Sequence, residues 1–86
     1  MDINQLNAIV KKKIQTHIKI ENINVEDKSF LHKNHLGNQE GKFHLKLSIE
    51  SLELKNLSKI DRTKKIYKIL DKEIKNYIHS IQILIR

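Results

Sequence analysis

The chain has no cysteine and no proline, and only two glycines and two arginines among 86 residues. Without cysteine there is no disulfide, no thiolate nucleophile and no thiolate metal ligand. No Pro/Gly-rich linker divides the chain, and its length suits one domain. A domain this small buries a modest share of its surface, so its core must be continuous. No apolar run reaches the length of about eighteen residues that a membrane-spanning helix needs. The opening M-D-I-N-Q-L-N lacks a basic region followed by an apolar stretch, so no secretory signal is expected. These absences together lead to the expectation of a cytoplasmic protein.

Charge is present in excess of one sign. The formal net charge is +7, which favours an anionic partner, nucleic acid being the usual one. Ile, Lys and Asn supply 15, 15 and 8 residues, against two Arg. A bias towards A+T-rich codons would give the same skew without selection for binding, so charge alone does not choose a partner.

The hydrophobic pattern organises the rest. Asp2 is placed to cap a helix with apolar positions at Ile3, Leu6, Ile9, Val10 and Ile14. Lys11, Lys12 and Lys13 near its end are expected to be a solvated face. From Ile18 the period changes to two through Ile20, Ile23 and Val25, which predicts a strand ending near Asp27. A loop over 28–42 holds both glycines, Gly37 and Gly41. Phe43, Leu45, Leu47 and Ile49 then alternate with His44, Lys46, Ser48 and Glu50, as in a half-buried strand of a hairpin, with His44 on the exposed polar side. Leu52 to Ser58 is transitional. A helix from about Asp61, its expected cap, to Asn76 buries Ile66, Ile69, Leu70 and Ile74, and a last strand runs from Ile78 to Ile85. The order helix, strand, strand, helix, strand predicts an α+β (α/β) fold, a three-stranded sheet with both helices on one face.

Histidines carry the chemistry on offer. His32 and His35 lie three residues apart in the loop, and His79 heads the last apolar stretch. Imidazole binds borderline metals and titrates near neutral pH. The competing readings are a solvated loop for His32 and His35 and a half-buried sheet-edge residue for His79, which shares parity with Ile81, Ile83 and Ile85. A zinc site from the three is a weaker reading, because H-x-x-H is unspecific without thiolates or a carboxylate at fixed spacing.

Four segments, in order, extend this reading. V-E-D-K-S-x-x-H (25–32), G-x-x-E-G-K-F (37–43), R-T-K-K-I-Y-K-I-L-x-x-E-I (62–74) and I-H-S-I (78–81) together resemble the BolA family over nearly the whole chain. Ser29 and His32 match that family's loop Ser and His, and Phe43 its second-strand aromatic. Arg62, Tyr67, Leu70 and Glu73 follow the helix motif, and His79 matches the C-terminal histidine. Lys42 stands where the family usually has the His of E-S-H-F. Thr63 and Lys64 replace the H-R of R-H-R, and Leu54-Lys55-Asn56 stands for F-x-G, with Asn56 expected in the left-handed region.

The resemblance implies a fold similar to the class II KH domain and a partnership with monothiol glutaredoxins. In such pairs a [2Fe–2S] cluster is shared between a glutaredoxin cysteine, a glutathione thiolate and two residues of the BolA partner. The expected ligands here are His79 and, from the loop, His32 by register, with His35 as the alternative. The isolated chain is expected to hold no cluster. Some members are described as DNA-binding transcriptional regulators. For that role the basic residues Lys59, Arg62, Lys64, Lys65 and Lys68 of the second helix are the candidates. Against it stand the lack of a G-x-x-G loop and of arginine for bidentate base contacts. No Ser-His-acid order, nucleophile elbow or phosphate loop can be assembled, so a binding protein is expected and not an enzyme.

Overall fold

The computed structural model describes residues 1–29 and 42–86. Helix α1 (Ile3–His17) starts at Asp2 through a reciprocal capping box. The Asp2 carboxylate accepts from the Gln5 N–H at 2.8 Å, and the Gln5 side chain accepts from the Asp2 N–H at 3.1 Å. Its buried stripe is Leu6, Val10 and Ile14, with Ile9 only half-buried. Ile18 is the C-cap, and its N–H still bonds the Ile14 carbonyl at 2.9 Å. The first strand, β1 (Asn22–Asp27), therefore begins four residues later than the period-two pattern suggests. Ile18 faces the core from a helix end, and its N–H is already used.

Strand β2 (Phe43–Glu50) pairs antiparallel with β1 and parallel with β3 (Ile78–Ile85), giving the sheet order β1-β2-β3. One face of the sheet carries Val25, Leu45, Leu47 and Ile49, which join the helical Leu6, Val10, Ile14, Leu54, Ile66 and Leu70 in one hydrophobic core. β2 is more than half-buried. Ser48 and His44, on the side away from those leucines, are buried as well, because β2 has a strand on each side.

Between β2 and β3 lie three helical pieces rather than one. The transitional segment contains the short α2 (Leu52–Lys55), capped by Ser51. Ser51 is fully buried; its hydroxyl donates to the Lys19 carbonyl at 2.8 Å and accepts from the Leu54 N–H at 3.2 Å. Asn56 is right-handed at φ −78°, ψ −9°, not left-handed. Its N–H donates to the Leu52 carbonyl at 3.1 Å, so the chain leaves α2 by a helical turn that requires no positive φ. Helix α3 (Lys59–Ile69) is capped by Ser58, whose hydroxyl accepts from the Asp61 N–H at 3.1 Å. Asp61 is thus an acidic first-turn residue and not the cap. Helix α4 (Asp71–Asn76) follows after a bend at Leu70, φ −98°, ψ 16°.

One polar tie crosses the helical layer. The Lys13 ammonium contacts both oxygens of the Glu73 carboxylate, at 2.9 and 2.8 Å. Glu73 is only 4% exposed. Lys13 is therefore not merely part of a solvated triplet. It compensates a buried anion on α4, which otherwise carries a large desolvation cost. Replacing Lys13 by Ala leaves that carboxylate buried and unpaired. Denaturant unfolding should show a loss of about 1–2 kcal/mol, moderated by the partial exposure of the lysine. A Lys13→Ala, Glu73→Leu double variant should recover most of that loss.

Candidate functional site

The parallel pairing of β2 with β3 slips at one point. Phe43 pairs with Ile78, but His44 pairs with Ser80, so His79 is the extra residue of a β-bulge. Ile78 is buried, His79 and Ser80 are exposed and Ile81 is half-buried. The bulge removes His79 from the alternation of Ile81, Ile83 and Ile85, which corrects the half-buried sheet-edge reading. It presents an imidazole to solvent at the end of the sheet.

The second imidazole of the site is one that the alternation had assigned to an exposed face. His44 is 4% exposed. Its ring lies edge-to-face with that of His79, centroids 4.9 Å apart and planes at 61°. His44 Nδ1 is hydrogen-bonded to Ser80 Oγ at 2.6 Å. The backbone of His44 is held from the other side. Its N–H donates to Ser29 Oγ at 3.1 Å, and its carbonyl accepts from the Lys28 N–H at 2.6 Å. Asp27 in turn accepts from the Ser29 N–H at 2.9 Å, an Asx-type turn that fixes the end of β1. Sequence alternation correctly assigned His44 to the side opposite Leu45. It lacked the fact that β2 is central, flanked there by both the end of β1 and the bulge of β3.

A cleft of about 230 Å³ adjoins these residues, lined by Lys28, His44, Lys46, Ser80, Ile81 and Gln82 among others. At its margin Lys28 and Glu26 form an ion pair at 2.8 Å. The Lys28 ammonium, by its hydrogen bond and then its charge, holds the Glu26 carboxyl below its ordinary value. Of the expected metal ligands, His79 is in this site; His32 and His35 lie outside the described residues. Among the described residues no group of three or more His, Asp or Glu is arranged to hold a metal ion. The site thus sets one exposed imidazole, His79, against a buried one, His44, whose Nδ1 is engaged by Ser80.

The basic residues of α3 do not share one face. Lys59 and Arg62 line a cleft with Thr63 and the β3 residues Ile83 to Ile85. Lys65 and Lys68 line another, with His17 and Ile69, and Lys65 also pairs with Glu53 at 3.1 Å. Lys64 is exposed.

A family model described as BolA-like protein matches residues 14–86. The chain belongs to the BolA family. It is 30% identical over 76 residues to the DNA-binding transcriptional regulator BolA of Haemophilus influenzae, spanning 88% of this chain and 71% of that one. Its fold is similar to the BolA domain of SufE1 from Arabidopsis thaliana, with a TM-score of 0.80 and 24% identity over 99% of this chain and 94% of that domain. It is also similar to BolA1 from Arabidopsis thaliana, with a TM-score of 0.75 and 20% identity over 92% and 87% of the two chains. These likenesses bear out the α+β architecture and the family resemblance. No helix among the described residues is long and apolar enough to cross a membrane.

The Glu26 pair gives a direct check on the site's margin. A carboxyl-resolved NMR titration should place the Glu26 midpoint below that of an ordinary glutamate, and Lys28→Ala should raise it towards the ordinary value. The folded-state value is the depressed one. The pair's small stabilisation is therefore present above the unfolded-state pKa and is lost as pH falls through the folded one.

Proposed function

We propose that this BolA-family chain is a binding protein that partners a monothiol glutaredoxin and shares a [2Fe–2S] cluster with it. The observation that carries the proposal is the exposed His79 imidazole, set on a bulge and backed by a buried second imidazole. The cluster is cargo of the pair, with thiolates from the glutaredoxin and glutathione and imidazoles from this chain. Iron–sulfur centres accept two histidines in place of two cysteines, as Rieske-type sites do. A chain without cysteine fits that half of the ligand set and no more. His79 is the first ligand. His32 is the second, with His35 as the alternative. His32 follows three residues after Ser29, whose hydroxyl is bonded to His44, and three residues of chain span at most about 10–11 Å.

A second reading, DNA binding, has support from the Haemophilus influenzae relative, which is named as a DNA-binding transcriptional regulator. Lys59, Arg62, Lys64, Lys65 and Lys68 would contact phosphates from two sides of α3. Their division between two clefts makes a single groove-tracking stripe less apt, so this reading ranks second.

Mixing the chain with a monothiol glutaredoxin, glutathione, iron and sulfide should change the visible absorption and circular dichroism relative to the glutaredoxin alone. His79→Ala should abolish that change, and His32→Ala should reduce it more than His35→Ala. Identical spectra for wild type and His79→Ala would sink ligation by His79. For the DNA reading, the logarithm of affinity should fall with that of salt at a slope of about −0.9 per phosphate contact. Affinity equal for every duplex sequence would leave only non-specific attraction.

A further inference from the structure

We infer that His44 is a positioning residue that fixes the rotamer of His79, through a ring contact that Ser80 locks in place. The inference rests on the reading of His79 as a ligand and adds the group that would make it an effective one. An exposed imidazole on a bulge has two soft side-chain torsions and would sample several rotamers unaided. Ligand imidazoles are held in one orientation by neighbours that do not themselves touch the metal, and losing such a neighbour weakens binding by about 10–100-fold.

His44 has the properties of such a neighbour. It is almost fully buried, and its ring meets that of His79 edge-to-face at 4.9 Å. That arrangement is the favoured one for two aromatic rings and penalises rotation of the exposed partner. His44 itself cannot easily turn, since Nδ1 is bonded to Ser80 Oγ at 2.6 Å. Its backbone is clamped by the Ser29 hydroxyl and the Lys28 N–H. Ser80 directly follows His79, so one hydrogen bond secures both the ring behind the ligand and the bulge that carries it. His44 lies outside the four segments that carry the family resemblance, and Ser80 lies within I-H-S-I without being one of the residues matched there.

The test begins on the isolated chain, by side-chain NMR of His79 in wild type, Ser80→Ala, His44→Ala and His44→Phe. Wild type should show one χ1 rotamer, from three-bond couplings and ring relaxation, and His44→Ala should show averaging. His44→Phe, which keeps a ring but loses the Nδ1 bond to Ser80, should leave His79 between wild type and His44→Ala. Ser80→Ala removes the hydroxyl that partners the buried His44 Nδ1, so it should loosen His79 and lower the unfolding midpoint slightly while leaving the fold intact. It therefore decides the matter if His44→Ala does not fold. Equal His79 averaging in wild type and folded Ser80→Ala would overturn the inference.

In the glutaredoxin mixture, Ser80→Ala should speed cluster release about tenfold and alter the visible dichroism. If His79 is ordered as described but wild type forms no shared cluster, the ligand reading fails and the positioning stands. If the cluster forms equally well with wild type and Ser80→Ala and the rotamers are alike, the positioning fails and the ligand reading stands.

Discussion

The central place of strand β2 is the constraint on which the rest of the structure depends. Leu45, Leu47 and Ile49 point from it into the helical layer and are almost wholly removed from water, each worth about 1.5–3 kcal/mol of hydrophobic stabilisation. β1 and β3 must both pair with it, one antiparallel and one parallel. A parallel neighbour needs a long crossover, which α2, α3 and α4 supply. Those helices then cover the same face as α1 and close the core around Leu54, Ile66 and Leu70.

The same centrality creates the candidate site. At its N-terminal end β2 passes between the end of β1 and the start of β3, and there the β2–β3 register shifts at a bulge that carries His79. One imidazole is thereby turned outward while the other is enclosed between Ser29 and Ser80. Ordering the buried ring costs side-chain entropy and desolvation, which its hydrogen bond offsets. The site is built on paired strands, and a bulge interrupts their pairing at the exposed His79.

Polar ties between distant segments do the remaining positioning. Ser51 joins the α1–β1 connection to α2, and Lys13 joins α1 to the buried Glu73 of α4. Both involve side chains that a solvent-facing reading of lysine and serine would pass over. The excess positive charge, by contrast, is spread over separate clefts, so it attracts anions generally without defining one track for them.

Much was legible in the chain alone. Its periodicities located α1, the alternation of β2 and the full length of β3, because burial of one face is a local property that repeats along the sequence. The order of motifs revealed the family, and the missing cysteines excluded any thiolate ligand from the chain. His79 was visible as a motif residue. Its exposure was not, nor was the burial of His44, because strand order and a slipped register are relations between segments and leave no period in either one. The late start of β1, the Ser58 cap and the bend at Leu70 were hidden for a related reason: local hydrogen bonds and packing fix element ends, while the apolar pattern runs on past them. The sequence by itself determined which residues could do chemistry. The tertiary structure decided which two imidazoles meet, because only the pairing of β2 with both neighbours brings Ser29, His44, His79 and Ser80 together.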